Sequence, residues 1–562
     1  MSIRDQLSIE RKEQKEKGLV PDWISTDGYG FFKQKYLYEA ESYKEQIERI
    51  CRTAASYSND PDYWEPRFFE LFWKGWLSPS SPVLANTGTT RGLSVSCSGG
   101  LIDDSVHGFY SSQLETAILT KHGFGTSSYL GEIRGRGEKI SIGGTASGVL
   151  PVYKMFLQTM RDIAQGTARR GAWAGYIEID HKDFDELADY IKDNPDDANI
   201  GWNISDNFIK LLENGDTESI RRYQKALKLK MLTGKGYFFF PDKTNRASPK
   251  MYKDRNLKVK ASNLCSEITL FSDIDHTFTC ILSSMNLVYY DDWKNTDAVY
   301  NATVFLDCIA SNFIEKASKI KGLESAVNFT KKGRALGLGV MGFHSYLQKN
   351  MIPFESFDSH LKNMEIFKHI SDESLKASKW MAETFGEPEW CKGHGVRNTH
   401  RTAVAPTMSS SVLMGSASQG IEPFYGNCFI KDGASGSIEV INPQFYLLMK
   451  QRNKYSRKLV KEIADNHGSV QNLDWLTDQE KLVFRTAFEI NQEVILRLAA
   501  VRQQYICQAQ SINLFFTSDA SEEYISKVHQ IAFRDERIKS LYYIRTHSGV
   551  SASKGEPCLA CT

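Results

Sequence analysis

The stretch Ser262-Asn263-Leu264-Cys265-Ser266-Glu267-Ile268 sets an amide, a thiol and a carboxylate at alternate positions. In an extended strand alternate residues share one face, so Asn263, Cys265 and Glu267 are expected to project together. Burying such a set is costly without a function that needs it. It supplies a hydrogen-bond donor, a sulfur and a general base on one surface. Two more cysteines stand in short polar contexts inside core-like runs, Ser96-Cys97-Ser98 and Thr279-Cys280-Ile281-Leu282-Ser283-Ser284. Taken singly, each of these reads as a satisfied core cysteine, and Cys51, Cys308, Cys391, Cys428 and Cys507 keep that reading. The chain ends Pro557-Cys558-Leu559-Ala560-Cys561-Thr562. Two neighbouring thiols in a reduced tail can exchange with a disulfide elsewhere; the alternative is half of a zinc site.

The surrounding composition narrows the class. The chain has 562 residues, 41% hydrophobic and 24% charged, with 69 Lys plus Arg against 68 Asp plus Glu. That is the mix of a globular protein with a large core, and the formal net charge of +1 excludes a protein that coats nucleic acid. The N-terminal MSIRDQLSIERKEQKEKG is charged throughout, unlike a signal peptide. No apolar run approaches the roughly 18 residues of a membrane span. A cytoplasmic location follows as the expectation, where the ten cysteines stay reduced. Cys391, His394, His400 and Cys428 match no common zinc spacing, so no metal is assigned to this chain.

Residues 31–80 read as an aromatic-rich helical leader, with Phe68, Phe69, Leu71, Phe72 and Trp76 close to helical spacing. Strand-like runs (Ser94–Leu101, Tyr237–Phe240, Ser283–Tyr290, Arg401–Ala405) then alternate with amphipathic stretches, the pattern of an α/β architecture. Thr477-Asp-Gln-Glu480 is a capping box, and Leu482, Thr486, Ile490, Val494 and Leu498 behind it predict one long helix. A second helix is expected over Ser521–Phe533, before the strand-like Ser540–Arg545, and the polar stretch from His547 onward reads as a mobile tail. Val404-Ala-Pro-Thr-Met-Ser-Ser-Ser-Val412 reads as a strand-to-helix turn whose backbone N–H groups would face an anion, or as ordinary capping by Thr407 or Ser409. Gly131–Gly137 and Gln165–Gly171 add glycines and the arginines Arg134, Arg136, Arg169 and Arg170, which offer phosphate forks.

Together these strings resemble the large (α) subunit of class I ribonucleotide reductase. The resemblance rests on Ser94–Cys97, Ser262–Ile268, Cys280–Leu287, Ala405–Ser410, Gln508–Leu514, Leu541-Tyr542-Tyr543 and the terminal cysteine pair, in the family's order. It implies a ten-stranded α/β barrel of two five-stranded halves with a central finger loop. A helical region (1–79), the barrel (80–546) and a flexible redox-active tail (547–562) would follow one another. It also implies roles. Cys265 would become a thiyl radical that takes the ribose 3′ hydrogen, Glu267 would deprotonate the 3′ hydroxyl, and Asn263 would hydrogen-bond the substrate. Cys97 and Cys280 would supply two electrons, and Cys558 with Cys561 would reset them at the expense of thioredoxin or glutaredoxin. Ser81, Ser96, Gly123 and Pro406, Thr407, Met408, Ser409 and Ser410 would bind substrate. Asp104, Ser105, Val106 and Arg134 would bind a nucleoside triphosphate effector at a homodimer interface. A second effector-phosphate arginine is missing where the chain reads Lys139-Ile-Ser-Ile-Gly143, and Arg136 is the substitute at hand.

Tyr542 and Tyr543 would carry radical character from a separate metal-containing small subunit; without that context a tyrosine pair in a strand is packing. Only 96 residues precede Cys97, too few for an ATP cone, so no dATP shut-off through such a domain is expected. The competing readings are an adenosylcobalamin-dependent reductase, in which the tyrosines only pack, and a non-catalytic nucleotide-binding paralogue.

Overall fold

The computed structural model describes residues 3–39, 41–163, 171–195, 199–433 and 436–546. Arg169, Arg170, Cys558, Cys561 and the whole tail expected from 547 lie outside them.

Five strands, Cys97–Leu101, Gly125–Tyr129, Ala172–Glu178, Ile200–Asn203 and Tyr237–Phe239, pair in chain order and all in parallel. Parallel neighbours need crossover connections, supplied by helices such as Val106–Lys121, Val149–Asp162 and Thr217–Thr233. A second parallel set begins with Phe278–Asn286 against Leu336–Met341. It continues through the bridges Leu338 to Thr402 and Val404 to Gln510, and ends with Leu514–Phe516 against Ile544–Thr546. Two antiparallel seams join the halves: Cys97–Gly99 on Phe278–Cys280, and Phe238–Phe239 on Ser540–Leu541. The ten segments close the expected two-half α/β barrel.

Strand alternation divides the core in two. Ala172, Ala174, Tyr176, Tyr237, Phe239, Cys280 and Leu282 belong to an inner cluster, while Trp173, Ile177, Phe238 and Ile281 join the outer core under the helices. With both faces buried, strands such as Tyr237–Phe239 and Leu336–Met341 carry no charged residue, and the small polar residues of Gly125–Tyr129 are buried as well. The barrel is filled by the loop that carries Val259, Ala261, Leu264, Cys265, Ile268 and Leu270.

Outside the barrel, helices Thr26–Lys35, Tyr43–Ala55 and Pro61–Trp73 form the expected leader. Ser42 and Glu45 cap the second reciprocally, and Asp60 with Pro61 starts the third. Phe68 and Phe72 meet Phe305 edge-on at 5.3 and 5.1 Å, which docks the leader on helix Ala298–Ala317. Trp76 falls beyond the helix end.

Four expectations need correction. The strand-like Ser540–Arg545 is two short strands, Ser540–Leu541 and Ile544–Thr546, on either side of Tyr542 and Tyr543. Arg401–Ala405 forms single bridges instead of a regular strand, Thr402 pairing with Leu338 on one side and Val404 with Gln510 on the other. The run Ser283–Tyr290 is strand only to Asn286, where the Asn286 side chain accepts from Val288 N and starts a 3-10 turn. The long helix after the capping box is two helices, Asp478–Val483 and Gln492–Gln503. Between them Ala487 N donates to Phe424 O (2.7 Å), and the Gln492 amide donates to the carbonyls of Ala487 and Ile490. Those tertiary bonds replace helical ones. Thr486, Ile490 and Leu498 stay buried and Val494 packs against the core, whereas Leu482 is exposed.

Asp307, on helix Ala298–Ala317, locks the second half. Its carboxylate accepts from Arg334 (2.8 and 2.9 Å), Arg397 (2.9 Å) and Asn398 (2.9 Å), all close to the start of barrel segments. Burial alone would raise this carboxyl, but the two guanidiniums outweigh it and hold it at about 2. The ordinary value is 3.8, so the stabilisation is complete above that pH and is lost as pH falls through about 2. Asp307→Ala leaves the buried Arg334 and the half-buried Arg397 without their counter-charge and should cost about 3–5 kcal/mol in denaturant unfolding at neutral pH. A loss below about 1 kcal/mol would mean the cluster is not structural.

Candidate active site

The Ser262–Ile268 stretch is not an extended strand. It is a tight turn that folds back on itself: Asn263 N donates to Ile268 O (3.3 Å), Ser266 N donates to Asn263 O (3.2 Å), and Ile268 N donates to Asn263 Oδ1 (3.0 Å). Ser266 sits in the left-handed region at φ 64°, a conformation costly for a non-glycine residue and kept only where surroundings impose it. They do so here from several sides. Ser511 Oγ donates to Cys265 O (2.6 Å), Ser540 Oγ to Ser266 O (2.8 Å), Tyr176 OH to Asn263 O (2.6 Å), and Ser127 Oγ to Ser262 O (2.8 Å). The amide, thiol and carboxylate do converge, through the turn and not through strand alternation.

Below the turn, Cys97 and Cys280 are directly opposite across the antiparallel seam. Opposed residues have Cβ atoms about 4.5–5.5 Å apart, close to the roughly 3.5–4.5 Å of a disulfide, so a small shift suffices to join them. Both stand as thiols, as does Cys265. The Asn263 amide donates to Cys97 Sγ (3.4 Å), and the Gln508 amide donates to Cys280 Sγ (3.4 Å). Burial pushes the Cys280 thiol well above its ordinary range, which keeps it protonated. Burial also pushes the Glu267 carboxyl up to about 7, against the pull of its own backbone N–H, Asn263 and Ser511. A carboxylate poised near neutral pH is suited to general base work.

Tyr542 and Tyr543 lie in the same inner cluster, with ring centroids 4.1 Å apart. They are tied to the cysteine turn through Ser540, two residues upstream, whose hydroxyl also reaches Gln510 O (3.1 Å). Gln508, Ser511, Tyr176 and Tyr237 belong to this site but carry no role in the sequence reading. The first two lie in the quoted Gln508–Leu514 string. The two tyrosines were detectable as aromatics on the inward face of their strands.

The other predicted groups fall into separate places. Ser96 and Ser409 have buried hydroxyls with no hydrogen-bond partner among the described residues, a cost that a bound ligand would relieve. Thr407 is left-handed (φ 53°), and its hydroxyl accepts from Gly420 N (2.7 Å) as Pro406 leads into the short helix Met408–Leu413, which carries Ser410. Ser81 shares a 2.9 Å hydrogen bond with Tyr36 of the helical leader, and Gly123 turns the chain at φ 97° before Gly125 N reaches Ser96 O. Asp104 and Arg134 form an ion pair beside Ser105, which caps helix Val106–Lys121 and accepts from Gly108 N. Arg136, the substitute arginine, is forked onto Glu186. Cys391, His394, His400 and Cys428 do not converge: Cys391 packs with Met251 and Val396, His394 faces Asp254, His400 meets Tyr252 and Cys428 lies in another cluster.

Buried thiols grouped with a poised carboxylate inside a barrel are a set suited to oxidation–reduction chemistry. The ribonucleotide reductase barrel-domain model matches residues 95–224, 221–392 and 388–544, and the all-alpha-domain model matches 25–92. The structure is similar to the Actinobacillus ureae class Id ribonucleotide reductase alpha subunit, with 38% identity and a TM-score of 0.86 over 95% of this chain and 99% of that one. The putative ribonucleoside-diphosphate reductase large subunit of frog virus 3 is 33% identical over 520 residues, 87% of this chain and 90% of that protein. The vitamin B12-dependent ribonucleoside-diphosphate reductase of Thermoplasma acidophilum is 29% identical over 561 residues, 92% of this chain and 69% of that protein. This chain belongs to the ribonucleotide reductase large-subunit family.

With Glu267 titrating at about 7, turnover should rise as pH climbs through that value, as the carboxylate forms. Glu267→Gln should lower the rate by about 10²–10⁴-fold and flatten that limb of the profile. An unchanged limb in the variant would assign the titration to another group.

Proposed function

We propose that this chain is the catalytic subunit of a class I ribonucleotide reductase that converts ribonucleoside diphosphates to 2′-deoxyribonucleoside diphosphates. The observation that carries the reading is the Cys97–Cys280 pair set opposite across the seam beneath the Cys265–Glu267 turn. Cys265, as a thiyl, takes the ribose 3′ hydrogen and Glu267 takes the 3′ hydroxyl proton. The 2′ hydroxyl leaves as water while Cys97 and Cys280 give up two electrons and their hydrogens and become a disulfide. Cys265 then returns the 3′ hydrogen and Glu267 the hydroxyl proton, so one dithiol is consumed for each deoxynucleotide and water formed. Asn263 hydrogen-bonds the substrate, and Ser81, Ser96, Gly123 and the Pro406–Ser410 turn hold its phosphates and sugar; the orphaned hydroxyls of Ser96 and Ser409 support that assignment.

A separate small subunit supplies the radical through Tyr543 and Tyr542, and its metal cofactor is not held by this chain. Cys558 and Cys561 reset the disulfide with thioredoxin or glutaredoxin. The Asp104–Arg134 pair, with Ser105 and Val106, takes a nucleoside triphosphate at a homodimer interface. Val106, Tyr110 and Leu114 support that interface, because they form an exposed apolar stripe at four-residue steps on one helix. Residues 1–79 and 80–546 are its helical and barrel parts and 547–562 its redox tail. The work is cytoplasmic; among the described residues no helix is long and apolar enough to cross a membrane.

The test is deoxycytidine diphosphate formation from CDP with a dithiol and mixed effectors, in two arms. One arm holds a metal-loaded small subunit, the other only adenosylcobalamin. Product in the first arm alone is expected. Product with adenosylcobalamin alone would overturn the class, and silence in both would favour a non-catalytic paralogue.

A further inference from the structure

The helical leader reaches the proposed substrate groups at two points. Tyr36 ends helix Thr26–Lys35, its N–H donating to Phe32 O (2.8 Å), and it is buried. The Tyr36 and Ser81 hydroxyls lie 2.9 Å apart. Gln46, fully buried on helix Tyr43–Ala55, clamps the chain around that contact. Its amide donates to Tyr36 O (3.1 Å) and Leu84 O (2.9 Å), and its oxygen accepts from Tyr38 N (3.0 Å). Leu84 lies on the short helix Ser81–Asn86, which begins with Ser81 itself. The same leader helix meets the other wall at Gly28. A Cβ there would stand 2.7 Å from Leu413 O and 3.2 Å from Val412 O, so only glycine lets it lie against helix Met408–Leu413.

Ser81 and the turn that carries Ser409 and Ser410 are thus spanned by one ten-residue helix and the tyrosine that ends it. A buried phenol needs a hydrogen-bond partner, and this one has a hydroxyl of the proposed site. A serine hydroxyl has one hydrogen to give and an oxygen that can accept. A phosphate oxygen only accepts. When Ser81 donates to a phosphate, its oxygen is left to accept, and the Tyr36 phenol stands in place to donate. A donor that itself accepts is strengthened by the chain of bonds.

We propose that Tyr36 is a positioning residue for the substrate: its phenol donates to Ser81 Oγ and so turns the Ser81 hydrogen toward a phosphate oxygen of the ribonucleoside diphosphate. This rests on the functional reading given above. No covalent bond forms or breaks. Two hydrogen bonds run in series, from Tyr36 to Ser81 and from Ser81 to the phosphate. Tyr36 acts only through Ser81, so its contribution vanishes when the Ser81 hydroxyl is removed. The leader then belongs to the substrate site, with Tyr36 setting one wall and Gly28 the approach to the other. A packing role for Tyr36 would leave substrate affinity independent of its hydroxyl.

The test is equilibrium dialysis of radiolabelled CDP against the full chain with mixed effectors, in the parent, Tyr36→Phe, Ser81→Ala and the double variant. Tyr36→Phe should weaken CDP binding about three- to tenfold, the effect of one hydrogen bond. Added to Ser81→Ala, it should weaken binding no further. Equal binding by the parent and Tyr36→Phe would overturn the proposal. So would the same fold-loss in both backgrounds, which is what a purely structural tyrosine produces. A parent that binds no CDP would instead sink the functional reading on which the proposal rests. A Tyr36→Phe protein that fails to fold is replaced by one carrying 3-fluorotyrosine at position 36, which keeps the ring and has a more acidic hydroxyl. It should tighten CDP binding, and unchanged binding there would again overturn the proposal.

Discussion

The site depends on a strained turn inside a barrel. Ser266 holds a left-handed backbone that isolated chains avoid, and it keeps it because four hydroxyls from distant strands grip the carbonyls of residues 262–266. Those strands are the barrel walls, so closing the barrel and shaping the turn are one event. The antiparallel seam that sets Cys97 against Cys280 is also where the two parallel halves meet. The proposed radical centre and its proposed reductant are thereby brought together by topology.

Burial then sets the chemistry. In a low-dielectric interior the charged form of each group is penalised, which keeps Cys280 as a thiol and lifts Glu267 to about 7. A protonated thiol suits the role proposed for the pair, delivery of hydrogen together with electrons. Asn263 serves both groups, touching the Cys97 sulfur and the Glu267 carboxylate. Gln508 does the same job below, where it reads the Cys280 sulfur while its other end accepts from Thr269 N (3.1 Å). The same logic governs Asp307, where two guanidiniums reverse the sign of the burial effect.

How much of this was legible in the sequence follows from the range of the interactions. Asn263, Cys265 and Glu267 were legible because their types are expensive to bury and lie close together, although the strand expected to align them is a turn. Cys97 and Cys280 were legible as candidates, but their pairing comes from a seam between segments 183 residues apart. Ser511 was not, since it meets Cys265 across 246 positions, and nothing local distinguishes it from other serines. Tyr237 meets Tyr543 across 306 positions and looked like one more aromatic in a core strand. The broken helix after Thr477 shows the converse: its apolar period holds from Thr486 to Leu498 and fails at the exposed Leu482, while the Gln492 and Ala487 bonds that interrupt the helix were not legible locally.

The central claim is that the thiols facing each other at the seam are the reductant for a ribonucleotide held at the turn above them. It is tested most directly by a single turnover of the pre-reduced holoenzyme without external reductant, in a Cys558→Ser/Cys561→Ser background, followed by peptide mapping of disulfides. The account predicts one Cys97–Cys280 disulfide for each deoxynucleotide formed. Deoxynucleotide produced while both cysteines remain reduced would contradict it.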